Sequence, residues 1–362
     1  MDLINIITDL VKFRTETGNT AEIMQCFEYC KILFAQTDAK VEIFEKEGVA
    51  PVLFIRNTDS EDFDVLCLGH LDVVPAPDNM FTPEIHDGRM YGRGTLDMKS
   101  FAAVAFNSMF HVLENRLPLK FGIILSSDEE KGSKGTEAFM EAHKEMKAAI
   151  VLDNDVGGNI LSIVNKCKIV EGKEAHGSTP WDGIDANEKL MQTWCNIRKI
   201  YPYFSKEKKM PKDTWIDTVH FAKIEGGQVS NVISNYAEAL LDFRLTENST
   251  VEHLEENLNK CMESGVTYKI VSSSTPVVMD PDNKYIQAYK KLAEEVLGEK
   301  MFFEQIGGAT DSRAFAVRGS TVIMNSGTGE GMHANGEYVE IDSVKKLAQI
   351  QTKFLDKLAL EK

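Results

Sequence analysis

His70 and Asp72 follow an apolar run, Val65 to Leu68, that reads as a buried strand ending at Gly69. Asp97 comes after a glycine-rich turn, Tyr91-Gly92-Arg93-Gly94. Glu129 and Glu130 come after the strand-like Phe121 to Leu125, and Asp153 follows Ala149 to Leu152. His333 closes the loop that leaves the strand-like Ser320 to Met324. Each is an imidazole or a carboxylate placed where a strand gives way to a loop. In an open α/β sheet such positions face the crevice beyond the strand ends, where reacting groups collect. A single His or Asp there is more often a turn or a cap. Together these residues argue for one site. Nitrogen and oxygen donors without thiolate suit Zn²⁺ first, and also Co²⁺ or Mn²⁺.

Asp72 is near enough in sequence to accept the second ring N–H of His70, which would fix the tautomer. The run Asp153-Asn154-Asp155 offers two acids, of which Asp153 stands first after the strand and fits better. His86, His111, His143, His220 and His253 sit in polar or helical stretches and read as surface or core residues. Gly172 to Thr179 lacks the Gly-Lys-Ser/Thr of a phosphate loop.

The elements that must position these groups can be read from periodicity. Leu3, Ile6, Ile7, Leu10 and Val11 fall at helical spacing. A second helix starts after Asn19, with Glu22 as its capping partner, and runs to about Phe34. Val41 to Phe44 and Pro51 to Ile55 read as strands. Ala102, Ala105, Phe106 and Met109 predict a helix after Asp97. Strands and helices in this order predict an α/β fold, a mainly parallel sheet flanked by helices.

From about Leu161 the texture changes. A long alternating strand, a helix over 185–200, strands at 218–223 and 237–245, a helix over 251–262 and a strand at 268–271 suggest a ferredoxin-like α+β insert. The turn at Asp280-Pro-Asp-Asn marks the return, and a closing helix is capped near Asp342. The expected division is a catalytic domain from 1–162 and 276–362, with an inserted lid or dimerisation domain over 163–275.

A chain of 362 residues with 43% hydrophobic content fits roughly two domains. Its net charge of −16 argues against nucleic acid or an anionic membrane as partner. No apolar run approaches a membrane span. The N-terminus is too acidic for a signal peptide. The six cysteines are scattered without a Cys-x-x-Cys pair and read as buried free thiols, consistent with a reducing, cytoplasmic setting.

Gly69-His-Leu-Asp-Val-Val-Pro75, followed by Tyr91-Gly-Arg-Gly-Thr-Leu-Asp-Met-Lys99, resembles the M20 metallopeptidase family. The resemblance implies a two-domain enzyme with two metal ions. Asp97 would bridge them, His70 and Asp153 completing the first ion's protein ligands and Glu130 and His333 the second's. Glu129 would be the general base. His176, in Glu174-Ala-His-Gly-Ser-Thr-Pro, would stabilise the oxyanion, often that of a partner subunit. Asn231 resembles a substrate-contacting Asn, Arg244 an Arg that binds a substrate carboxylate, and Gly308 a backbone contact to substrate. The implied substrate is a short peptide or an N-acyl amino acid, as in acetylornithine deacetylase or succinyl-diaminopimelate desuccinylase. Asp at position 153 tilts the resemblance towards the family's dipeptidases and aminotripeptidases, which act on a free amino end. The insert resembles a dimerisation domain, which implies a homodimer.

Overall fold

The computed structural model describes residues 2–154, 161–169, 172–202, 216–246, 248–273, 277–303 and 310–362. Asp155 and Gly308 lie outside them. Two compact units emerge, one from residues 1–156, 279–305 and 310–362 and the other from 157–278 and 306–309.

The first unit opens with α1 (Leu3–Lys12), whose first N–H groups are capped by the Asp2 carboxylate. α2 (Thr20–Phe34) follows. Its expected capping box does not form. The Asn19 side chain donates to the Arg14 carbonyl at 3.0 Å, and Glu22 accepts the Arg14 backbone N–H at 3.2 Å. Both side chains are used to hold the preceding loop. β1 (Lys40–Phe44), β2 (Val52–Arg56) and β3 (Asp62–His70) come next, then the short pair β4 (Glu84–His86) and β5 (Arg89–Tyr91). α3 (Lys99–Glu114), β6 (Phe121–Ser126), α4 (Lys134–Ala142) and β7 (Lys147–Asp153) complete this segment.

In the second unit β8 (Leu161–Ile169), α5 (Ala186–Ile200), β10 (Thr218–Gly226), β12 (Ala237–Leu245), α6 (Val251–Cys261) and β13 (Val266–Ser273) follow the order βαββαβ. Between them, β9 (Ala175–His176) pairs with β11 (Val232–Ile233) as a separate ribbon. The larger sheet is antiparallel in the order β10-β12-β8-β13, the ferredoxin-like arrangement. β12 alternates buried and half-buried residues, as a strand with one covered face must. The covered face packs Ala237, Ala239, Leu241 and Phe243 with Leu190, Ile197 and Leu258 of the two helices.

The chain returns to the first unit through α7 (Lys284–Leu297), α8 (Arg313–Ala316), β14 (Thr321–Met324), β15 (Gly329–Glu330), β16 (Tyr338–Glu340) and α9 (Ile341–Leu360). Asp342 does not cap α9. The cap position is Glu340, and Asp342 pairs with Lys346 one turn on. Among the described residues the main sheet has the order β1-β2-β6-β3-β7-β14. β6, β3, β7 and β14 run parallel, and β2 and β1 are added antiparallel. This is the mixed, mainly parallel sheet flanked by helices that the element order predicts.

α3 packs against α1 and α9, and this explains why it is apolar nearly all round. Phe106 is fully buried there, edge-on to Phe34 with ring centroids 5.5 Å apart. Phe106→Ala should cost about 3–5 kcal/mol, read as the drop in unfolding free energy in urea. Of the five cysteines described as free, four are buried and Cys195 on α5 is exposed, which corrects the reading of all thiols as buried. Among the described residues no helix is long and apolar enough to cross a membrane.

Candidate metal centre

Parallel β3, β6, β7 and β14 end along one edge, with His70 level with Ser126 and Asp153 level with Met324. That edge carries His70 and Asp153 on strand ends, and the Glu129–Glu130 turn follows β6 directly. A second small sheet, β15-β16-β5-β4, draws the 329–340 segment beside the glycine-rich turn after β5. Gly94 in that turn has φ +84°, and a Cβ there would lie 2.9 Å from Val73 Cγ1. Only glycine fits such a turn without strain. The Asp97–Met98 peptide that follows is cis.

The carboxylate of Asp97 lies between two imidazoles. Its Oδ1 is 3.1 Å from His70 Nε2, and its Oδ2 is 3.0 Å from His333 Nε2. The same His333 nitrogen lies 3.2 Å from Glu130 Oε2. Donor atoms of His70, Asp97 and Glu130 all fall within 4.8 Å of one another. His70 Nδ1 faces the Asp72 carbonyl oxygen at 2.9 Å and so carries a proton. In a neutral His70 the Nε2 lone pair would then face a carboxylate oxygen. Two acceptors in contact repel unless a proton or a cation lies between them. The donor set of His70, Asp97 and Glu130 therefore fits a divalent cation.

The charge states follow from the same contacts. Burial opposes ionisation of Asp97, but hydrogen bonds from His333 and His70 outweigh it and hold the carboxyl well below its usual range. Burial also opposes the charged form of His70, and Asp72 and Asp97 overcome it. Asp97 and then Glu130 push His333 up to about 10. The pocket demands positive charge, and in the absence of a metal the imidazoles supply it.

Asp72 does more than face His70. Its carboxylate, wholly buried, accepts the Thr17 hydroxyl at 2.7 Å and the backbone N–H groups of Glu129 and Glu130 at 3.2 and 3.4 Å. The expected bond from the His70 ring falls to the Asp72 carbonyl, with the carboxylate at 3.4 Å. Two residues of separation bring the backbone oxygen closer than the side chain. Burial pushes the Glu129 carboxyl up to about 8, with Asp311, Glu130 and Asp72 adding to the rise against the pull of His70.

Asp153 is buried, and its Oδ2 accepts the hydroxyls of Thr310, at 2.7 Å, and Ser312. Its Oδ1 accepts the Asn154 N–H at 2.7 Å. Sequence reasoning gave no role to Thr310, Ser312 or Thr17. Nor did it single out Glu337, although the residue closes the His333-Ala-Asn-Gly-Glu run. Glu337 is buried, pairs with buried Arg93, and accepts the backbone N–H groups of Leu96 and Asp97 at 2.9 and 3.2 Å. Buried Lys99 donates to the Leu10 and Phe13 carbonyls at 2.9 and 2.8 Å, tying α1 to the start of α3.

The second unit brings two more candidates together. His176 on β9 is level with Val232 on β11, and Gly177 donates its N–H to the Asn231 carbonyl at 2.8 Å. His176 is exposed, with its Nδ1 2.8 Å from Ser178 Oγ. Arg244 on β12 turns its fork to both oxygens of Asp242, at 3.0 and 2.9 Å.

Residues 66–357 match the family described as peptidase family M20/M25/M40. A succinyl-diaminopimelate desuccinylase from Sulfurovum sp. is 26% identical, covering 97% of either chain. Another, from Wolinella succinogenes, is also 26% identical over 96% of this chain and 98% of its own. Among solved structures, an M20 family metallo-carboxypeptidase from Sulfolobus solfataricus superposes with a TM-score of 0.81 at 18% identity, covering 99% of this chain and all of the other. The aminopeptidase PepT from Bacillus cereus gives 0.74 at 20% identity, with 99% and 98% covered.

Proposed function

The chain belongs to peptidase family M20/M25/M40 and is a metallohydrolase acting on amide bonds, and from there we propose a dinuclear enzyme that hydrolyses a short peptide. The observation that carries this reading is Asp97, with one oxygen against His70 and the other against His333, whose same nitrogen also faces Glu130. His70, Asp97 and Asp153 would hold one ion, and Asp97, Glu130 and His333 the other, Zn²⁺ first and Co²⁺ or Mn²⁺ as alternatives. Bound there, the ions would polarise the scissile carbonyl and acidify the attacking water.

The chain's own groups do the rest. Asp97 would supply negative charge to both cations, which would otherwise repel. The Glu129 carboxylate takes a proton from the attacking water and carries it to the leaving amine. Asp72 fixes the turn that carries Glu129 and Glu130. Asp72→Ala should therefore weaken metal binding and turnover about 10- to 100-fold, read by chelator competition and by rate. His176 would serve the oxyanion, while Asn231, Arg244 and Gly308 would contact the substrate. We extend the proposal to a cytoplasmic homodimer formed through the 163–275 region, which a monomeric mass in solution would contradict.

Peptide is preferred as substrate because Asp153 resembles the residue that the family's dipeptidases and aminotripeptidases carry at this position. A second reading, removal of an N-acyl group from an amino acid, is favoured by the two desuccinylase relatives. Dipeptides assayed against succinyl-diaminopimelate and acetylornithine, with each metal in turn, separate the two. Dipeptide turnover with inert acyl substrates supports the first reading. The reverse pattern replaces it with the second.

A further inference from the structure

The buried pair Arg93–Glu337 is the strongest group that the chemistry above leaves unused. Both side chains are almost fully inaccessible, at 2% and 0% exposure. Burying such a pair rarely stabilises a fold more than apolar side chains of the same size would. Its contacts point to another role. Glu337 Oε1 accepts Leu96 N–H at 2.9 Å and Asp97 N–H at 3.2 Å, while Oε2 meets Arg93. The Glu337 carbonyl accepts Gly92 N–H at 3.0 Å. The segment 92–97 is thus fastened at both ends to one residue of the segment that carries His333.

That segment is itself closely packed. Gly331 has φ +79°, and a Cβ on it would come within 3.0 Å of Glu337 Cα. His333, at φ 60°, lies between these two residues. Asp97 and His333 therefore sit on two loops whose separation is set where Glu337 grips the Asp97 backbone. The gap so defined is the 3.0 Å between Asp97 Oδ2 and His333 Nε2, with Glu130 Oε2 at 3.2 Å.

We infer that Glu337 is a positioning residue. The length of its side chain, with Arg93 balancing its charge, holds the Asp97 and His333 loops at the spacing that lets both grip one divalent cation with Glu130. The inference rests on the ligand assignment proposed above.

Two variants separate length from charge. Glu337→Asp keeps the charge opposite Arg93 and shortens the side chain by one methylene. The double variant Arg93→Met with Glu337→Gln keeps the length and the acceptor oxygen and removes both charges. Zn²⁺ affinity is measured by competition with a chromogenic chelator, and the Co²⁺ absorption spectrum reports the ligand geometry.

Glu337→Asp should bind the weaker-held Zn²⁺ at least about tenfold less tightly, the usual loss when a ligand's supporting partner is disturbed, with an altered Co²⁺ spectrum. The double variant should stay within about threefold of the native protein, inside that same margin. Native affinity in Glu337→Asp, a larger loss in the double variant, or failure of metal-free Glu337→Asp to fold would each overturn the inference and leave Glu337 to fold stability. If the native protein itself bound no zinc, the ligand assignment would fail first, a distinct result.

Discussion

Glu129→Gln should lower kcat by about 10²–10⁴-fold, the usual contribution of a positioned proton carrier, while bound metal stays at the native level. The two side chains are nearly the same size, so the turn should survive the change. Its anchors are backbone N–H groups of Glu129 and Glu130 on Asp72, which the substitution leaves in place. What is lost is the oxygen that accepts the proton of the attacking water. Metal content by elemental analysis and kcat on the best substrate check both halves. Unchanged turnover would remove Glu129 from the mechanism. Loss of metal together with activity would make it a ligand instead.

Asp97→Ala should have the broadest effect, because a single carboxylate serves both halves of the centre. Its removal takes an oxygen from beside His70 and another from beside His333. Zn²⁺ affinity should fall by at least about 100-fold, the upper end of what a supporting partner alone contributes, and turnover should drop to background. The metal-free protein should remain folded, since the backbone N–H groups of Leu96 and Asp97 that Glu337 holds are left in place by the substitution. Chelator competition and circular dichroism measure the two. Retention of both ions with near-native affinity would show that Asp97 does not lie between them.

Much of the fold was legible because its strands carry their burial in their pattern. Val65 to Leu68 is a continuous apolar run and lies buried on both faces of the parallel sheet. Ala237 to Leu245 alternates and lies on a sheet covered on one face. The candidate ligands were legible because each ends a strand or a glycine-rich turn. What holds them was not. Arg93 and Glu337 stand 244 positions apart, and no local pattern links them. Asp153 takes hydroxyls from Thr310 and Ser312 across a similar gap, 157 and 159 positions.

Local rules also lost to tertiary contacts at identifiable places. Asn19 and Glu22 have the spacing of a capping box, yet both are drawn to Arg14. Arg14 in turn reaches Asp78 and the Ala76 carbonyl, so the loop preceding α2 is tied to the segment beyond β3. Asp72 was expected to serve His70 through its carboxylate, and that carboxylate, 3.4 Å from the ring, also organises the Glu129–Glu130 turn. Arg14 is only 5 and 8 positions from Asn19 and Glu22, but it is held by Asp78, 64 positions on, and Asp72 by Glu129, 57 positions on, where periodicity carries no information.

The most direct measurement is anomalous diffraction at the zinc edge from crystals grown with Zn²⁺. The account predicts two peaks about 3.5 Å apart, the spacing of paired-metal hydrolases, one on either side of the Asp97 carboxylate. One would lie beside His70 and Asp153, the other beside Glu130 and His333. A zinc-saturated crystal with no peak at Asp97, or with peaks only elsewhere on the chain, would contradict it.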